Sequence, residues 1–338
     1  MNDQHLILNQ KAKLIENVFD SKALDQQPTR DGFGKGVVEA GEADERVVVL
    51  CADLAESTRA HWFKEKFPER YIELGVAEQN LATVGSGLAN YGKIPFITSY
   101  AAFSPGRNNE QIRTTISLNN VPVKIAGAHA GVSVGPDGAT HQQLEDIALM
   151  RVQPNMTVVV PADAEEARKA TVAAAKTAGP VYLRFAREKT PVFTSPETPF
   201  RIGKALVLAE PDDGPLDVVV IGCGPILYYA LLAGEQLAQI GVRIAVLNNH
   251  TVKPLDKETI STYARRAGAI VTVEEHQIAG GLGSAVTELI VQEHPVPIEF
   301  VGVRDQFGQS GTPEELFAHY GLNVPAIVKA IKRVIARK

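Results

Sequence analysis

Apolar runs of strand length recur along the chain, separated by stretches with helical spacing. Val47–Cys51 (VVVLC) has no polar alternation, which predicts a strand buried on both faces. Tyr71–Leu74, Pro95–Thr98, Val121–Gly127, Thr157–Val160 and Val181–Phe185 continue the series. Between them, Ala77–Asn90, Arg107–Leu118 and Asp163–Ala178 read as helices, the last capped by Asp163 ahead of Glu165 and Glu166. Strands alternating with helices predict a parallel sheet covered on both faces. Pro191–Pro199 (PVFTSPETP) interrupts the rhythm as a linker. The alternation then restarts with strands at Asp217–Ile221, Arg243–Leu247, Ala269–Glu274 and Ile298–Val301. Helices fall at Ile226–Ile240, Lys257–Ala267 and Leu282–Glu293, with a helical tail from Pro313.

The expected fold class is therefore α/β with two domains, each a mostly parallel sheet covered by helices. The expected boundaries are an N-terminal helical extension over 1–25, a first domain over 26–190, a linker over 191–200 and a second domain over 201–338. In the extension, Leu6, Leu14, Ile15 and Val18 space as a docking helix.

A chain of 338 residues suits two domains at roughly 150 residues each. The charge balance, 34 − 39 = −5, comes with no basic stripe, which argues against nucleic acid as a partner. The longest apolar run, near Val218–Ile221, is far short of a membrane span. Cys51 and Cys223 lie far apart and form no metal or redox pair. Met1–Asp20 is of mixed charge without a long apolar core, so it does not read as a signal peptide, and a cytoplasmic location is expected.

Two glycine-rich turns invite a nucleotide reading and fail it. Gly222-Cys-Gly224 follows a strand, but Leu227 stands where a third glycine belongs. Gly280, Gly281 and Gly283 precede a helix with no Lys-Ser/Thr behind them. The candidate chemistry gathers instead at strand ends in the first domain, where open parallel sheets place ligands. Asp53 directly follows the first strand, and Glu78 opens a helix in Gly75-Val-Ala-Glu-Gln-Asn80. Alone, Glu78 reads first as a helix-dipole partner. Ser99-Tyr-Ala-Ala-Phe103 places two aromatics beyond a strand, with Arg107 close behind. Gly127-Ala-His129 and Asp137-Gly-Ala-Thr-His141-Gln put two histidines and an aspartate in a glycine-rich loop, poor material for a core.

GVAEQN with Glu78, SYAAF and above all DGATHQ with Asp137 and His141 together resemble transketolase, from about Arg30 to the C-terminus. More narrowly, the chain resembles the C-terminal subunit of a split transketolase: a pyrimidine-binding module followed by the C-terminal domain. Gly280-Gly-Leu-Gly and Pro313-Glu-Glu-Leu-Phe fit that second domain. Two related families share part of the pattern, the deoxyxylulose-phosphate synthases and the beta subunits of 2-oxo-acid dehydrogenases. A non-catalytic regulatory or scaffold subunit on the same fold is the reading from another class.

The resemblance implies thiamine diphosphate as cofactor, held between two chains. The Gly-Asp-Gly motif that grips diphosphate through Mg²⁺ (or Ca²⁺) does not occur here. The implied partner is therefore the N-terminal transketolase subunit, in an α₂β₂ assembly, with no metal ligands on this chain. By the same resemblance Glu78 hydrogen-bonds the pyrimidine ring nitrogen as the catalytic acid, while Tyr100 and Phe103 wall the ring and Asp53 lies near the cofactor. His129 and His141 transfer protons and, with Asp137, line the substrate channel. Arg30, Ser57 and Arg187 hold the sugar phosphate, guanidinium being suited to a phosphate dianion. For the last of these, Arg184 is the alternative. Arg59 and His61 depart from the family pattern and bear on the acceptor entrance. The implied reaction moves a two-carbon glycolaldehyde unit from a ketose phosphate to an aldose phosphate.

Overall fold

A computed structural model describes residues 5–211 and 214–338. Met1–Gln4, the start of the predicted N-terminal extension, lie outside the described residues. The first part of the chain contains β1 (Gln26–Gln27), α1 (Thr29–Ala43), β2 (Val47–Cys51), α2 (Ala55–Thr58), α3 (Ala60–Lys66) and β3 (Tyr71–Glu73). There follow α4 (Glu78–Asn90), β4 (Ile94–Tyr100), α5 (Asn109–Gln111), β5 (Lys124–Ala128), α6 (Asp146–Arg151), β6 (Thr157–Val159), α7 (Ala164–Ala175), β7 (Val181–Arg184) and β8 (Thr190–Pro191). The second part contains β9 (Leu206–Ala209), β10 (Val218–Gly222), α8 (Leu227–Ala238), β11 (Ile244–Asn248), β12 (Thr251–Lys253), α9 (Lys257–Ala267) and β13 (Ile270–Gln277). It ends with α10 (Leu282–Glu293), β14 (Ile298–Val303), α11 (Pro313–His319) and α12 (Val324–Ile335).

Two α/β domains result, each with a mostly parallel sheet. The first sheet runs β12-β6-β7-β5-β4-β2-β3 and the second β14-β13-β10-β11-β9. Only the edge strands β12 and β9 pair antiparallel in these sheets. The unbroken apolar runs explain the parallel core: every residue of β2, β5, β10 and β11 is buried, as a strand covered on both faces must be. Strand β12 comes from the second half of the chain yet extends the first sheet, so the domains share a sheet edge.

Where apolar spacing predicts an N-terminal docking helix, the described part of that segment forms a strap with one 3₁₀ turn at Gln10–Ala12 and further turns at 16–19 and 21–23. Leu6, Val18 and Leu24 are buried in it. The strap bridges from Leu8 to Ala209 and from Leu14 to Thr194, and its end pairs β1 with β8. Intervals of three and four fit a helix, but here they anchor a chain that crosses both domains. Helix α1 is the converse: its glycines weigh against helix by propensity, and the structure uses them for close packing. A Cβ on Gly32 would lie 2.0 Å from the carbonyl oxygen of Ala164, and one on Gly36 would lie 2.6 Å from that of Arg168. Glycine lets α1 lie directly on α7.

A buried ion pair inside the first domain also reaches the second through a hydrogen bond from its arginine. Arg184 donates from Nε to Asp146 Oδ2 at 2.7 Å, and Tyr182 Oη donates to the same oxygen at 2.5 Å. Arg184 Nη2 reaches the carbonyls of Gln143 at 3.2 Å and of Glu275, in the second domain, at 2.8 Å. Removing one partner leaves a charge buried without compensation, at a cost of about 3–5 kcal/mol. Asp146→Ala is accordingly expected to lower unfolding free energy by about that amount in denaturant melts. A loss of less than about 1 kcal/mol would contradict this role for the pair.

Candidate active site

The candidate residues come from strand ends, loops and first turns of helices in the first domain. After β3, Gly75 turns the chain at φ +69° and α4 begins at Glu78, whose carboxylate lies in the first turn, where the helix dipole favours negative charge. The Glu78 side chain is only 2% exposed. Arg107 Nη1 donates to its Oε2 at 2.6 Å, and Ser99 Oγ lies 3.5 Å from Oε1. Asn108 Nδ2 donates to the Glu78 carbonyl at 2.9 Å, tying the loop after β4 to the start of α4.

Strand register assembles the aromatic part. Tyr100 at the end of β4 pairs with Ala128 at the end of β5, so His129 emerges beside it. The Tyr100 and His129 rings stack at 3.9 Å with 22° between planes. Phe103 lies 5.8 Å from Tyr100, nearly parallel, and His141 meets Phe103 edge-on at 5.4 Å. The Arg107 guanidinium carbon sits 4.6 Å from the Phe103 ring centre. Glu78, Tyr100, Phe103, His129 and His141 thus form one cluster, with Arg107 inside it. Sequence pattern assigns Arg107 little weight, because Pro105-Gly106 interrupts the stretch before it. The one local signal is its spacing, a helical turn after Phe103.

A cationic group borders the cluster. Arg30 Nη1 donates to the Ser57 carbonyl at 2.9 Å and lies 3.3 Å from His129 Nε2. Arg187 donates to the Val134 carbonyl at 2.8 Å and pairs with Asp137 at 3.4 Å. Arg59 Nε donates to Asp31 at 2.6 Å, and His61 turns to the Ala55 carbonyl at 3.3 Å. Burial, then repulsion from Arg30, Arg187 and Arg59, pushes His129 down to about 3. The shift favours the neutral form of the His129 ring. His141 is half-buried, with Nδ1 2.9 Å from Thr140 Oγ1.

Between the two candidate arginines the geometry discriminates. Arg184 is spent on Asp146 inside the protein, whereas Arg187 is 36% exposed beside Asp137. Ser57 contributes its carbonyl to Arg30. Asp53 stands apart from the ring cluster: it is exposed, at φ +58°, and its N–H donates to Glu73 at 2.8 Å. His129 (φ +55°) and Arg59 (φ +69°) also hold left-handed backbone, a conformation uncommon for such side chains and enriched at functional sites. Among the described residues, no group of three or more His, Cys, Asp or Glu is placed to hold a metal ion, and no helix is long and apolar enough to cross a membrane.

Comparison with known proteins identifies both halves of the chain. Residues 25–192 match the transketolase pyrimidine-binding domain and residues 203–327 the transketolase C-terminal domain. The 6-deoxy-6-sulfo-D-fructose transketolase subunit SqwH of Clostridium sp. (strain MSTE9) is 38% identical over 93% of this chain and 97% of its own length. One of the subunits of an apulose-4-phosphate transketolase, from Phocaeicola vulgatus, is 36% identical over 89% of this chain and 95% of its own length. A solved structure described as a split gene transketolase, inactive beta4 tetramer, superposes with a TM-score of 0.85 at 43% identity, covering 91% of this chain and 98% of that one. Human transketolase is 35% identical over 94% of this chain, which spans 50% of its length. With both of its domains matched, the chain belongs to the transketolase family and corresponds to the C-terminal section of that enzyme.

Proposed function

We propose that this chain is the C-terminal subunit of a two-subunit, thiamine-diphosphate-dependent transketolase that moves a glycolaldehyde unit from a ketose phosphate to an aldose phosphate. The observation that carries the proposal is the convergence of a water-excluded carboxylate, Glu78, with the face of Phe103. A carboxylate and a flat ring are what an aminopyrimidine needs: one hydrogen-bond partner and one stacking surface. The residues present fit that end of the cofactor. They supply no metal-binding set for its diphosphate among the described residues. That end, with its Mg²⁺, falls to the N-terminal subunit, and this chain by itself is inactive. The inactive beta4 tetramer formed by a relative supports the same division and supports self-association within a larger assembly.

Bound there, thiamine diphosphate supplies the nucleophilic carbon that accepts the two-carbon unit. Glu78 would orient the ring through a hydrogen bond, and Phe103 and Tyr100 would offer it a stacking wall and exclude water. Asp53, exposed beside Glu73, belongs to the outer wall of the cofactor site. The neutral His129 holds a substrate oxygen by hydrogen bonding, and His141 moves protons at the reacting oxygens. Asp137 accepts from a sugar hydroxyl. Arg30 and Arg187, with Ser57 positioned by Arg30, receive the anionic end of the sugar. Relatives named for a sulfo-sugar and a sugar phosphate are consistent with an anionic tail.

Co-expression with the N-terminal subunit and a glycolaldehyde-transfer assay with thiamine diphosphate and Mg²⁺ tests the function. Glu78→Ala should lower turnover by at least about 100-fold with the subunits still assembled; wild-type rates would rule out the mechanism. A second outcome concerns His129, whose proton affinity is low. Its ring carbon chemical shift, assigned with His129→Gln, should stay flat from pH 8 down to about 5. A titration midpoint near about 6.5 would overturn the neutral hydrogen-bonding role.

A further inference from the structure

Resting on the function proposed above, the contacts of Arg107 carry one step more. Its guanidinium does two things at once: it donates to Glu78 Oε2 at 2.6 Å, and it lies over Phe103 with its carbon 4.6 Å from the ring centre. These are the two contacts assigned above to the aminopyrimidine, one polar and one stacked. The other oxygen of Glu78 is turned to Ser99, and Phe103 is flanked by Tyr100 and His141 as well. A planar ring entering between Glu78 and Phe103 therefore meets a planar cation already seated there.

Arg107 is also free to leave. Its side chain is 43% exposed, whereas the carboxylate it pairs with is 2% exposed. The backbone on either side is fixed independently, by the Arg107 N–H to the Phe103 carbonyl at 3.1 Å and by Asn108 to Glu78 and Ser104. Swinging the guanidinium out breaks neither tie. We infer that Arg107 is a placeholder for the pyrimidine ring, a positioning residue that keeps Glu78 and Phe103 in their working places and that the cofactor must displace to bind.

A group that competes for the seat lowers apparent affinity by the fraction of time the seat is free. If Arg107 is seated about nine-tenths of the time, its removal tightens binding about tenfold. The experiment is calorimetric titration of thiamine diphosphate, with Mg²⁺, into the reconstituted two-subunit complex. Wild type is compared with Arg107→Met, which keeps the apolar stem, and with Arg107→Gln and Arg107→Lys. The expected result is a Kd about tenfold lower for Met and Gln, with Lys between them and wild type. A residue with only a structural role does not give tighter binding when removed. Unchanged or weaker binding in both Met and Gln, with assembly intact by sedimentation, overturns the placeholder. So does failure of both variants to assemble, which makes Arg107 a folding residue. A wild-type complex that binds no cofactor overturns the proposed function itself, and so separates the two failures.

Discussion

A carboxylate shut away from water must have a compensating partner, and the site is organised around how Glu78 meets that demand. Its position in the first turn of α4 gives it favourable helix dipoles, and Arg107 gives it a charge. Because Asn108 binds the Glu78 carbonyl, the loop that carries Arg107 also carries the Phe103 face. The Asn108 tie thereby holds the acid and the ring on one loop framework. The parallel register of β4 against β5 then sets Tyr100 on His129, and everything else at the carboxyl edge is placed relative to those two strands.

The second constraint is accumulated positive charge. Arg30, Arg59 and Arg187 face a region with Asp31 and Asp137 as counterions, and burial together with mutual repulsion lowers the proton affinity of Arg30 itself. Such a region favours an anionic ligand, and the same arginines add to burial in lowering the proton affinity of His129. The left-handed backbone at His129 and Arg59 belongs to this arrangement. Both residues are held where a relaxed loop would not put them.

Much of this is legible in the chain, for a physical reason. Strands buried on both faces must be continuously apolar, so VVVLC and its successors mark the central strands of the two sheets, while the short edge strands β9 and β12 escape the reading. The loops GVAEQN, SYAAF and DGATHQ stand out because polar and titratable groups beside glycine have no place in a core. What could not be read depended on contacts distant in sequence. Helix α1 is hidden by glycines whose purpose is contact with α7, more than 100 positions away. The strap at the N-terminus shows helical spacing because it touches two domains in turn. Arg184 and Arg187 look equivalent until Asp146 is seen beside the first. Arg107 is invisible as a partner of Glu78, since nothing local in the sequence brings them together.

The central claim is that Glu78 and Phe103 hold one end of a cofactor whose other end lies on a different chain. Its most direct test is a crystal structure of the two-subunit complex with thiamine diphosphate and Mg²⁺. The account predicts a Glu78 carboxylate oxygen about 2.6–3.2 Å from the pyrimidine ring nitrogen, with the ring stacked on Phe103 and the metal ligated by the other subunit. A pyrimidine ring bound away from both residues, or a cofactor held wholly by one chain, would contradict it.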